Sequence, residues 1–275
     1  TGIRADNKNV NNSGTVRIYG AGTAISAENG NIVNNSGGGI TMVISGAADS
    51  YGIYLAGRGS NTLTNNATVK VNRSSAYAEG KKAVALYAEN GSINNSGALE
   101  VGAKDAVING GIGIETDGGN VTNGGTITVY GNGSAIKAAN GSITNNASAT
   151  VYGNGSVLNG QNGNVTNNEK GQLNIYTDGK ASAYGIYLAG STGNTITNKA
   201  SIFINRYGAY AQAASTGNYG IWTDNAKIVN SGDISLGSST AGLSGIYGLY
   251  AAGSGSIENS GVINLYGAGT AIYTA

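Results

Sequence analysis

Ala24-Ile25-Ser26-Ala27, closed by Glu28-Asn29-Gly30, and Ile32-Val33-Asn34, closed by Asn35-Ser36-Gly37, decide the fold of this chain. Both runs alternate with period two, the side-chain period of a strand, and both end in residues that favour turns. A third short strand follows in each unit, clearest in the preceding one as Val16-Arg17-Ile18-Tyr19 before Gly20. Three short strands and three turns fit in 22 residues, the distance from Ile3 to Ile25. No stretch carries the i, i+3, i+4, i+7 pattern of a helix.

The unit recurs along the whole chain. First-strand anchors stand at Ile3, Ile25, Ile53, Leu86, Ile114, Ile136, Leu158, Ile186, Ile221, Leu249 and Ile272. Each second strand places an Asn two residues after an aliphatic residue: Asn12, Asn34, Asn65, Asn95, Asn123, Asn145, Asn167, Asn198, Asn230 and Asn259. Residues i and i+2 share a face, so these asparagines point inward with their aliphatic partners. A buried amide needs partners, and the same residue on the next coil supplies them. The expectation is an all-β, right-handed parallel β-helix of about ten three-stranded coils with an internal Asn ladder. At about 4.8 Å per coil it forms a rod roughly 48 Å long.

The anchor spacings run 22, 28, 33, 28, 22 and then 22, 28, 35, 28, 23. Tyr51-Gly-Ile-Tyr-Leu-Ala-Gly57 returns as Tyr184-Gly-Ile-Tyr-Leu-Ala-Gly190, and Asn72-Arg73 as Asn205-Arg206, both at a shift of 133. This predicts one β-helix over residues 1–275 with an internal duplication, about 1–133 and 134–275. The chain begins at Thr1 without a methionine and starts in mid-coil, so it is expected to be a segment of a longer protein. The extra residues fall mostly at the third turn, which predicts two loop clusters on one face, about 24 Å apart. Two residues before each anchor, short turns are followed by Thr23, Ser134, Ser156 and Thr270. Long turns are followed by Tyr51, Val84, Ile112, Tyr184, Tyr219 and Tyr247, large side chains suited to packing under a loop.

Composition removes many functions. The 275 residues include 48 Gly and no Pro, Cys or His; 11% are charged and the net charge is +1. That leaves no basic footprint for nucleic acid, no imidazole base or thiol nucleophile, and none of the usual zinc ligand sets. No Gly-rich phosphate loop sits between a strand and a helix. An acidic turn column, Asp6, Glu28, Glu89, Asp117 and Asp224, has the residue type for Ca²⁺ or for a pair of glycosidase carboxylates, but its reading is a solvated turn, where Asp and Asn favour bends. The expectation is no cofactor, no metal and no enzyme. Thr-x-Thr ranks of the ice-binding kind occur only at Thr62/Thr64 and Thr195/Thr197.

Binding candidates remain. One position after the anchor, facing out, stand Tyr54, Tyr87, Tyr187, Trp222, Tyr250 and Tyr273. The last four fall on successive coils and predict an exposed aromatic ladder, whose rings suit a partner protein or a sugar. A second outward column on the third strand holds Tyr130, Tyr152 and Tyr176, with Phe203 nearby. The two longest insertions carry Arg73, Tyr77, Lys81 and Lys82, and Arg206, Tyr207, Tyr210 and Tyr219. Tyr with Arg and Ser or Gly is the composition of recognition loops.

Val10-Asn-Asn-Ser-Gly14-Thr-Val-Arg-Ile-Tyr-Gly20 and Ile257-Glu-Asn-Ser-Gly261-Val-Ile-Asn-Leu-Tyr-Gly267 show a run that recurs throughout the chain. It resembles the passenger region of large type V autotransporter adhesins, especially the fusobacterial outer-membrane kind. The resemblance implies display on the bacterial cell surface, a C-terminal translocating β-barrel absent from this sequence as the sole tie to the membrane, and attachment to a host or bacterial cell-surface protein or glycan. A cysteine-free chain suits threading through a barrel. The repeated positions are scaffold and carry over no binding residues. The expectation is therefore a monomeric, non-catalytic adhesin segment, a rod presenting loops and aromatic ladders. The alternatives are a lectin-like β-helix binding glycans through Tyr187, Trp222, Tyr250 and Tyr273, and a tailspike-like or lyase-like enzyme cutting polysaccharide.

Overall fold

The computed structural model describes residues 1–46, 48–57, 59–77, 81–190, 192–211, 213 and 216–275, with Tyr77 described by its backbone alone. Among these residues there are three parallel sheets of 11, 10 and 10 strands, and every third strand in sequence joins the same sheet. That is a parallel β-helix of three-stranded coils, as the repeat predicts. Pairing is in register: Ile3 lies beside Ile25, Val10 beside Ile32, and Val16 beside Ile40. The aliphatic positions line one continuous core. In the coil starting at Ile136 the inward set is Ile136, Ala138, Ile143, Ala149 and Val151, each at most 1% exposed. Full burial of one Ile contributes about 1.5–3 kcal/mol, so stacking neighbours is what makes a 22-residue unit stable.

The asparagines form the ladder. Asn12 Nδ2 donates to Asn34 Oδ1 at 2.8 Å, Asn34 to Asn65 at 2.8 Å, and so on through Asn230 to Asn259 at 2.7 Å. The second amide hydrogen of most rungs goes to a carbonyl two residues on, such as Asn95 to Gly97 and Asn123 to Gly125. Every side-chain dipole points the same way along the rod, an arrangement in which each bond polarises the next. At Asn34 and Asn167, 133 residues apart, the second turn is two residues longer. There Gly38 and Gly171 lie so close to the ladder that a Cβ would meet the Asn oxygen at 2.2 and 2.0 Å.

The first sheet departs from strict alternation. Strands such as Ala183–Ala189 have two consecutive buried residues, Gly185 and Ile186, flanked by half-buried Tyr184 and Tyr187. A Cβ on Gly185 would stand 2.4 Å from Ile202 Cγ2 and 2.5 Å from Gly220 O, so glycine is required. This corner turns positions three apart onto the same outer face. It explains why the residue two before the anchor, which alternation would place in the core, packs on the outer face beside the residue after the anchor.

Insertions occur at the third turn as expected, with smaller ones at the first turn after Gly57 and Gly190. The third-turn insertions dock on the rod. Val69–Tyr77 continues the third sheet past its usual end, with Arg73 beside Ile44 and Tyr77 beside Gly46. The segment after Arg206 follows the preceding coil's turn, with Tyr207 N–H on Thr177 O, Ala211 N–H on Asp178 O and Ala213 N–H on Gly179 O.

Candidate binding face

The corner in the first strand builds two aromatic rows side by side. Tyr184, Tyr219 and Tyr247 stack at 5.0 and 5.1 Å, with ring planes within 9°. Tyr187, Trp222, Tyr250 and Tyr273 stack at 4.7, 6.2 and 4.8 Å. The rows meet edge to face, Tyr184 with Tyr187 at 5.0 Å and Tyr247 with Tyr250 at 5.4 Å. The four predicted ladder residues are thus brought together, but as a half-buried surface; only Tyr273, on the last strand, reaches 38% exposure. The physical reason is the coil spacing, which equals ring-stacking distance, so within a row each ring face covers the next and only ring edges point outward. Burial first, then neighbouring phenols, raises the pKa of Tyr219; for Tyr187 the causes are burial, Tyr184 and Asp224.

At the matching positions of the earlier coils the face is chemically different. Tyr51, Tyr54 and Tyr87 pack at 5.1–5.3 Å, and with Val84 and Ile112 they make a small apolar cluster outside the rod core. Here the long-turn residues Tyr51, Val84 and Ile112 pack against one another, while in the later coils the Tyr219 ring lies against the backbone of Gly217. The row then changes to Glu115 and Lys137. Glu115 is 2% exposed and holds Lys137 Nζ at 2.9 Å and Lys82 Nζ at 3.2 Å. Lys82 also lies 5.1 Å from the centre of the Tyr87 ring. This triad fastens the insertion to the sheet. Sequence reading missed it because its members are 33 and 22 residues apart; the signal was two opposite charges, Glu115 and Lys137, on successive coils of one column.

The acidic turn column serves the turns. Glu89 accepts the Tyr54 hydroxyl and the Gly57 N–H at 3.0 Å, while the Asn90 amide donates to Gly57 O. Asp224 and Asn225 hold Gly190 in the same way. Asp117 accepts the Tyr87 hydroxyl at 2.6 Å, and Asp6 pairs with Arg4 at 3.1 Å. Glu28 lies beside Asp6 in the sheet.

The third-sheet column of Tyr130, Tyr152 and Tyr176 stacks at 4.9 and 4.8 Å. Phe203 lies in the neighbouring column, opposite Asn174. The insertion candidates are largely engaged with the rod. Tyr207 packs on Tyr152 at 5.7 Å, Arg206 covers the Tyr210 ring at 4.6 Å, and Tyr210 reaches the core. Arg73 has its Nε buried without a hydrogen-bond partner among the described residues, and the Tyr77 side chain falls outside them. These side chains fix the loops as much as they display them. No family model, curated protein or solved structure matches this chain.

Proposed function

We propose that this chain is a non-catalytic adhesive rod, an adhesin segment displayed on a bacterial cell surface and binding a protein or glycan of a host or bacterial cell. The observation that carries the reading is the seven-ring aromatic face of Tyr184, Tyr219, Tyr247, Tyr187, Trp222, Tyr250 and Tyr273 on a scaffold whose interior is given to core and ladder. Preordered aromatic edges tipped with hydroxyl and indole donors offer large contact area at little entropic cost, the property that concentrates binding energy in Tyr and Trp. The segment after Arg206 docks on the preceding coil and brings Gly217 against the Tyr219 ring. The recurring Asn-Asn-Ser-Gly and Tyr-Gly runs support surface display through a type V route.

The test is attachment of the purified 275-residue chain to host epithelial cells and to bacterial cells, with and without Trp222→Ala and Tyr250→Ala. Each variant should weaken attachment at least tenfold, since an interfacial aromatic hot spot contributes about 2 kcal/mol or more. Unchanged attachment by folded variants removes the aromatic face from the mechanism. Shortened products after incubation with polysaccharide would replace the adhesive reading with the enzymatic one.

A further inference from the structure

Between the two sets of insertions the first sheet dips into a valley of about 440 Å³, within the range of small-ligand sites. Its floor carries Ser134 and Ser156, paired on adjacent strands, and beside them Lys137 and Asn159, paired likewise. One end is closed by Ile112 and the other by Ala181 and Ser182. From Ile112 to Tyr184 the face spans three coil steps, about 14 Å.

Three features of this valley are unusual within the rod. Ser134 and Ser156 are only 8% and 5% exposed, yet their hydroxyls bond to none of the described residues and are not sealed beneath other atoms. The Asn159 amide on the same floor likewise has no partner among those residues. These groups face the open valley, where a ligand's polar atoms can take the place of water. Next, Tyr184 follows Ser156 and Tyr187 follows Asn159 in strand register. Both aromatic rows therefore begin here, and their first rings have an aromatic neighbour on one face only. Finally, the one cation on the floor, Lys137, is already held by Glu115 at 2.9 Å.

Hydroxyls and an amide that both donate and accept, next in register to two aromatic rings and beside a lysine already ion-paired, match one ligand chemistry. We infer that this valley binds a neutral saccharide, its hydroxyls on Ser134, Ser156 and Asn159 and a sugar C–H face against Tyr184 or Tyr187. The inference deepens the adhesive reading and rests on it. At the positions 133 residues earlier Thr23 and Ser26 line a cavity with Tyr54, but Arg4, Asp6, Glu28 and Glu89 line it too, so it lacks the neutral character of the valley.

The test is an array of immobilised neutral oligosaccharides built from hexose and N-acetylhexosamine units, probed with the 275-residue chain. It is repeated with Ser134→Ala/Ser156→Ala, with Ser156→Tyr, and with Thr122→Ala on the second sheet as control. The chain should bind at least one neutral glycan. The double serine variant should lose about a hundredfold, tenfold for each hydroxyl. Ser156→Tyr, which fills the valley and lengthens the row, should abolish binding, and the control should retain it. Thermal melts establish that each variant is folded; the serine pair, a minimal change, keeps the test decisive if Ser156→Tyr does not fold. A silent array, or binding indifferent to the serine pair, overturns the inference. If cells still attach while the array is silent, the saccharide site falls and the adhesive reading stands; if neither binds, both fall.

Discussion

Asn123→Ala is the sharpest test of what holds the coils in register. The Asn123 amide donates to Asn145 Oδ1 at 2.8 Å and to Gly125 O at 2.8 Å, and its oxygen accepts from Asn95 Nδ2 at 2.8 Å and from Gly125 N–H at 3.3 Å. Asn123, Asn145 and Asn95 are all at most 3% exposed, so water does not take over the broken bonds. Asn95 keeps its bond to Gly97 O. The acceptors left without a donor are Asn145 Oδ1 and Gly125 O; the long 3.3 Å bond from Gly125 N–H is lost as well and adds little. At about 1–3 kcal/mol for each buried group left unsatisfied, the cost is about 2–6 kcal/mol. Asn259→Ala makes the comparison, because Asn259 is exposed and solvent can replace its bonds; it should cost under about 1 kcal/mol. Guanidinium unfolding followed by circular dichroism measures both, with the m value checking that the same surface unfolds. Equal losses for the two variants, or less than about 1 kcal/mol for Asn123→Ala, would refute the claim that the buried ladder fixes register.

Other outcomes follow from the same geometry. Glu115→Ala should release Lys82 and loosen the insertion before Ala83, costing about 1–2 kcal/mol since both lysines are partly solvated; faster proteolysis near Lys81 reads it, and unchanged cleavage argues against the fastening role. Gly141→Ala should destabilise by about 1–3 kcal/mol through overpacking, because its Cβ would collide with the Gly119 carbonyl oxygen on the coil below; an unchanged melting temperature would show that the turn column can relax. Burial, then Asp49 and further carboxylates, pushes the Tyr51 pKa up to about 12. Its neutral form is favoured in the folded state, so its contribution to stability is intact below the usual tyrosine pKa near 10 and is lost as pH rises from there through about 12. Denaturant melts across that window should show a falling stability whose slope Tyr51→Phe reduces by up to one proton; a slope that Tyr51→Phe leaves unchanged would contradict the assignment.

The rod was legible because its cause is periodic. Asn12 through Asn259 and the anchors Ile3 through Ile272 repeat at coil length, and parallel pairing of like with like needs no information beyond the repeat. The third-turn insertions were legible as departures from that length. The aromatic columns could be assigned to coils, but their solvent exposure could not be read. A ring's exposure depends on the distance to the next coil, and that distance lets Trp222 cover Tyr187 and Tyr219 cover Tyr184.

Sequence by itself determined the β-helix, its register, the inward asparagines and the places where loops emerge, since each follows from local alternation and repeat length. Tertiary structure decided the rest. The corner at Gly185 set Tyr184 beside Tyr187, and stacking turned an expected array of open rings into a surface of edges. Docking tied Arg206 and Tyr210 to each other and Lys82 to Glu115. Ser134 and Ser156, unremarkable as small residues after short turns, became hydroxyls facing a valley, with no hydrogen-bond partner among the described residues. The stacking, the Glu115 pairs and the valley floor arise from contacts between residues 22 to 35 positions apart, beyond the reach of any local pattern.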